Sequence, residues 1–147
     1  MELNWNTYLF QDDNEEGLAH QLADCIRKEA IRFHGVKSAV YLLTNTAGSN
    51  SSVQLWANAL EHSPRFANPN MFPWTLANAT AGYIAREFLI EGPNYTIVSK
   101  DLDLNEILEI YHQDKYNIAL KSALFVIWQY KHSDSLTVDV QVGYTLV

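Results

Sequence analysis

Ser99, Lys100 and Asp101 stand in a row in the stretch EGPNYTIVSKDLDLNEIL, where a short β-branched run gives way to a helix start. In α/β proteins a strand running straight into a helix N-terminus is a favoured seat for a reactive side chain. A lysine beside a carboxylate could form a Schiff base with a helper. The same two residues also read as a solvated or salt-bridged pair, since nothing in the sequence desolvates Lys100. Ser99 has no visible base. His112 and Asp114 are near enough in sequence for acid/base work, but their i, i+2 spacing puts them on different faces of a helix. There is no Gly-x-Ser-x-Gly elbow and no His-Glu-x-x-His helix, and the five histidines are scattered singly, so no metal or other cofactor is expected. Cys25 is alone, which excludes an internal disulfide, and it reads as a small core filler.

These residues need elements to hold them. Residues 14–34 read as a helix capped by Asn14, with Glu15 and Glu16 at its positive end and Gly35 at its stop. Its buried stripe is Leu18, Leu22, Ile26, Ala30 and Phe33. Residues 37–44 read as a strand too continuously apolar for a one-sided sheet. A loop with one Gly follows, then a Ser51-x-x-Gln54 capping box and a helix over 53–61. A phosphate on that helix start is disfavoured by the lack of a following Lys. The segment SPRFANPNMFPWTL reads as an ordered loop, and ANATAGYIAREFLIEG as a helix. Ala77, Ala79, Ala81, Gly82 and Ala85 crowd one side of that helix, which predicts deep burial against another backbone. A tight Gly92-Pro93 corner feeds a strand over Tyr95, Thr96, Ile97, Val98 and Ser99, and Asp103-x-x-Glu106 is a capping box for the next helix. Two strands close the chain, 122–130 and the alternating 136–146, joined by a KHSDS turn. The expected architecture is one α/β domain over 1–147.

The net charge of −7 and the absence of a basic cluster argue against nucleic acid. No apolar run reaches the ~20 residues a membrane span needs. The N-terminal MELNWNTYLFQDD lacks the pattern of a signal peptide, so a cytoplasmic location is expected.

The block MFPWTLANATAGYIAREFLIEGPNYTIVS resembles the N-terminal half of β-ketoacyl synthases of the thiolase-like superfamily. The resemblance rests on Phe72, Pro73, Asn78, Ala81, Gly82, Ile84, Ala85, Phe88, Gly92, Pro93 and Asn94. The earlier VYLLTNTAGS looks like that family's second core strand and Gly-containing loop. The resemblance implies a half-thiolase-like mixed sheet flanked by helices, with a C-terminal antiparallel hairpin. It places the family's catalytic cysteine at or near Asp101, within 99–103, where this chain has no thiol. The family's catalytic histidines belong to a C-terminal half that has no counterpart here. Self-sufficient condensation is therefore not expected.

The family's dimers form by pairing the strand before the cysteine across a two-fold axis, and chain-length factors are subunits that have lost the cysteine and assist an active ketosynthase. By resemblance this is a shortened chain-length-factor-like subunit, not an enzyme by itself. Its partner would be a full-length β-ketoacyl synthase, in type II fatty-acid-like or polyene/polyketide (aryl polyene) synthesis. Tyr95, Thr96, Ile97, Val98 and Ser99 would be the pairing strand. Met71, Phe72, Trp74, Asn78 and Tyr83 would lie near the acyl pocket or interface. Acyl carrier proteins are acidic, so an acidic chain would meet the carrier only through its partner. Two other readings stand beside this one: a stand-alone homodimeric binding or scaffold protein of the same fold, and a small enzyme using Lys100, Asp101 or His112.

Overall fold

The computed structural model describes residues 3–46, 49–62, 69–131 and 136–146, with the side chains of 49–52, 62, 69 and 71 outside the described residues. Five strands form one mixed sheet: β1 (Asn4–Asp12), β2 (Ser38–Thr44), β3 (Asn94–Val98), β4 (Ser122–Tyr130) and β5 (Leu136–Leu146), in spatial order β1-β5-β4-β2-β3. β2 lies parallel to both β3 and β4, whereas β5 runs antiparallel to β4 and β1. The helices described are α1 (Glu15–Lys28), α2 (Ser49–His62), α3 (Ala79–Phe88) and α4 (Leu104–Ile118).

All seven residues of β2 are buried, as its continuous apolar run predicts for a strand covered on both faces. Val40 and Leu42 pack with Leu18, Leu22 and Ile26 of α1 and with Ala81 and Ile84 of α3. Tyr41 and Leu43 point the other way, onto Ile107 and Tyr111 of α4. The sheet is thus a partition between two apolar cores, and α2 packs against a 3-10 segment, Pro69–Thr75.

Two glycines are fixed by close approach. A Cβ on Gly92 would lie 2.3 Å from the Ser38 carbonyl oxygen, so the Gly92-Pro93 corner can press against the start of β2. A Cβ on Gly143 would lie 2.8 Å from the Trp5 ring, which covers β5 at that point.

Several expectations need correction. The first helix ends at Lys28, well before Gly35, because Ala30 takes a left-handed conformation at φ 52° and turns the chain. Phe33, on the expected helical stripe, packs from the following loop onto Phe88 at 5.7 Å between ring centroids. α2 begins at Ser49, so Ser51 lies inside the helix and does not cap it. Within the expected loop 63–76, the stretch Pro69–Thr75 is a 3-10 helix, and 63–68 lie outside the described residues. α3 is not deeply buried: only Thr80, Ala81 and Ile84 are, and a Cβ on Gly82 would meet nothing within 4 Å. The small residues there leave open space beside the helix. β1 has no counterpart in the sequence reading. Of the KHSDS turn, 132–135 lie outside the described residues, although Lys131 N–H donates to Thr137 C=O across the hairpin at 2.9 Å.

Candidate functional site: an edge strand, a corner and a cleft

β3 ends the sheet. Among the described residues it pairs with β2 and carries no strand on its other side. The Pro93 carbonyl accepts from Val40 N–H at 2.9 Å, and Ser99 N–H donates to the Thr44 carbonyl at 2.8 Å. Backbone groups alternate sides along a strand, so the odd-numbered residues face β2. Asn94, Thr96 and Val98 therefore direct their N–H and C=O groups to the open edge. Tyr95 and Val98 are 42% and 53% exposed, and Tyr95 stacks on buried Tyr41 at 6.0 Å. An apolar edge without a charge or bulge is a template for another strand.

The corner beyond β3 is wet. Ser99 Oγ donates to Glu106 Oε1 at 3.2 Å, and Lys100 and Asp101 are exposed in a turn. Leu102 is left-handed at φ 48°, and Asp103 caps α4 by accepting from Asn105 N–H at 3.0 Å. Asp101 consequently stands ahead of the helix rather than in its first turn. Glu106, expected to complete a reciprocal capping box, accepts from Ser99 instead. Lys100 stands in water rather than in the dry pocket that a Schiff-base lysine uses. His112 and Asp114 do not come together: His112 is exposed against the Tyr111 ring, while Asp114 accepts from Tyr41 Oη at 2.7 Å. The half-buried Cys25 thiol is pushed up in pKa, first by desolvation, which makes it a poor nucleophile.

The third feature is a cleft around Trp74. Trp74, Asn78 and Tyr83 line one open groove of about 720 Å³ between the 3-10 segment and α3, which the missing side chain of Gly82 leaves wide. Trp74 and Tyr83 sit 6.0 Å apart by ring centroid, and His20 stacks on Tyr83 at 5.1 Å. Phe72 lies on the same segment but is 58% exposed. Met71 is also there, with its side chain outside the described residues. Trp74 lines a second cavity as well, of about 520 Å³, between the N-terminus of α1 and α2.

The sequence reading missed what lies at the floor of that second cavity. Glu15 is 3% exposed; its Oε2 accepts from Tyr130 Oη at 2.6 Å, and its Oε1 has no partner. Desolvation raises the Glu15 pKa and the Tyr130 hydrogen bond partly offsets this, while burial and then the Glu15 charge push the Tyr130 phenol far up. A signal was available: Glu15 continues the buried Leu18, Leu22, Ile26 stripe one turn upstream, at i−3 from Leu18.

No family model matches the chain, and no curated protein matches it. Among solved structures it is similar to a chain of the ketosynthase ApeO in complex with its chain length factor ApeC from Xenorhabdus doucetiae, at 13% identity and a TM-score of 0.56. The match covers 90% of this chain and 62% of that one, so this chain spans less than two thirds of the solved chain. At that identity the likeness is one of fold: a half-thiolase-like mixed sheet flanked by helices. Among the described residues no helix is long and apolar enough to cross a membrane.

Proposed function

We propose that this chain is a non-catalytic, chain-length-factor-like subunit that pairs through β3 with an active β-ketoacyl synthase and helps shape its acyl-chain pocket. The observation that carries the reading is the open edge of β3 on a half-thiolase-like sheet, with the outward backbone groups of Asn94, Thr96 and Val98 unclaimed by β2. The similar solved protein is a ketosynthase bound to its chain length factor, which supports a partner of the same class. The exposed corner at Ser99, Lys100 and Asp101 supports a supporting role, because a carboxylate cannot take up an acyl group as a thiolate does. Lost chemistry would reside in the partner, in type II fatty-acid-like or polyene/polyketide synthesis, and an acyl carrier would be met there too, given the charge of −7 on this chain. Trp74, Asn78 and Tyr83 would sit toward the growing chain.

The test is an elongation assay with a full-length β-ketoacyl synthase from the same source, with and without this chain. The reading expects product length or yield to change when the chain is present. Identical products would overturn it. A homodimer through the same edge is the second reading, favoured by the fact that one short apolar edge can pair with its own copy about a two-fold axis. It would show as a stable dimer of the isolated chain that ignores the synthase.

A further inference from the structure

Two buried polar atoms at one end of the sheet have no hydrogen-bond partner within the protein, and they are of opposite kind. Glu15 Oε1, on a side chain 3% exposed, is an acceptor when the carboxyl is ionised; Trp128 Nε1, on a residue 1% exposed, is a donor only. Both residues line one small pocket of about 10 Å³. Thr44 lines it too, and Thr44 and Trp128 are register partners on β2 and β4, so their side chains share the face of the sheet on which α1 packs. Tyr130 holds the pair in place without satisfying either: its Oη donates to Glu15 Oε2 at 2.6 Å, and its ring meets the Trp128 ring edge-on at 6.4 Å. The Trp128 N–H is near enough to Tyr130 Oη to favour the phenolate a little, but not in the geometry of a hydrogen bond. A lone buried donor and a lone buried acceptor are each costly, and here they face one pocket.

The size and mixed polarity of that pocket select what fits. It has room for about one water molecule. A metal ion or an ammonium ion suits the carboxylate but cannot accept the indole proton. An anion accepts the indole proton but is repelled by the carboxylate. Water does both. Its second proton has an acceptor in Thr44 Oγ1, whose own proton goes to the Thr46 carbonyl at 2.6 Å. Three hydrogen bonds are the usual complement of a buried water. With Glu15 protonated at Oε1, the same water accepts from it instead, so the site serves either form of the carboxyl.

We propose that this pocket binds an internal water that accepts from Trp128 Nε1–H and donates to Glu15 Oε1 and Thr44 Oγ1. The water ties the start of α1 to the C-terminal ends of β2 and β4. This inference does not depend on pairing with a ketosynthase.

Magnetic relaxation dispersion of the water oxygen, measured on the full chain, counts long-lived internal waters without interference from exchanging hydroxyl protons. The expected result is a dispersion step in the wild type that drops by one water in Glu15→Met, whose side chain has a similar length and needs no donor. A second readout locates the water. In the isotope-labelled chain the Trp128 indole N–H, assigned by its loss in Trp128→Phe, should show an NOE to water with an ROE of opposite sign. That pattern marks a bound water, whereas proton exchange gives equal signs. It should persist in Tyr130→Phe, which removes the hydroxyl best placed to relay it, and vanish in Glu15→Met. The proposal is overturned if the indole shows no such NOE, as a direct Trp128–Glu15 bond would predict. It is overturned equally if the NOE is lost in Tyr130→Phe or if Glu15→Met leaves the dispersion step unchanged. Should Glu15→Met fail to fold, the wild-type and Tyr130→Phe spectra decide between these outcomes alone.

Discussion

Two places in this molecule sit at the C-terminal ends of parallel strands in one sheet, yet they are built differently. The Ser99–Asp101 corner follows β3 at the edge and is open to water, with its one side-chain bond between Ser99 and Glu106. The floor of the Trp74 cleft lies past β2 and β4, where Thr44 and Tyr130 end those strands and Glu15 is buried against them. The corner carries the resemblance to a condensing site, and the cleft carries the buried, incompletely paired polar chemistry. A carboxylate is cheap at an exposed turn and expensive on a core stripe, so Asp101 costs the fold little and Glu15 costs it more.

The largest expected effect concerns the Gly92-Pro93 corner that leads into β3. Gly92→Ala puts a methyl 2.3 Å from the Ser38 carbonyl and should cost about 3 kcal/mol in denaturant unfolding. A loss below about 0.5 kcal/mol would mean that the Gly92-Pro93 corner is not pinned to β2. Next comes the cleft floor: Tyr130→Phe strips Glu15 of its hydrogen-bond donor and should cost about 2 kcal/mol.

The pH dependence sharpens the same contrast. Burial raises the folded pKa of Glu15 above its unfolded value, so the folded state binds the extra proton. Stability from this group is therefore fully present below the unfolded pKa and is lost as pH rises through the folded one. Wild type minus Glu15→Gln should show stability falling with rising pH across that window; a flat difference would indicate a carboxyl open to solvent. Asp101→Ala should change stability by less than about 0.5 kcal/mol. Smallest of all is the expected response of Asp101→Cys, whose thiol should titrate near the ordinary value of about 8.5, because the position precedes the first turn of α4. Iodoacetamide rates against pH would check this, and a strongly lowered pKa would show that the corner still stabilises a thiolate.

The legible parts of the fold were those whose periodicity is uninterrupted. The apolar runs of β2 and β4 and the alternation in β5 declare their burial residue by residue. β1 was not legible because Asn4, Asn6 and Gln11 dilute its alternation and its partner β5 lies at the far end of the chain. The end of α1 was hidden because Ala30 adopts a glycine-like conformation that only tertiary packing selects. In the candidate site, Met71, Phe72, Trp74, Asn78 and Tyr83 were named together; Trp74, Asn78 and Tyr83 share a groove and Phe72 is exposed, whereas Glu15 was read as a helix-end charge. Acidic residues suit that position so well that the local rule masked a tertiary role.

The most direct measurement for the proposed pairing is the solution mass of this chain mixed with a full-length β-ketoacyl synthase, read by size exclusion with light scattering. Thr96→Pro removes an N–H that points away from β2, so it should spare the fold and spoil only pairing across the edge. The prediction is a 1:1 complex with the wild-type chain and none with Thr96→Pro, whose circular dichroism stays unchanged. A wild-type chain that elutes apart from the synthase, or a complex that survives Thr96→Pro, would contradict it.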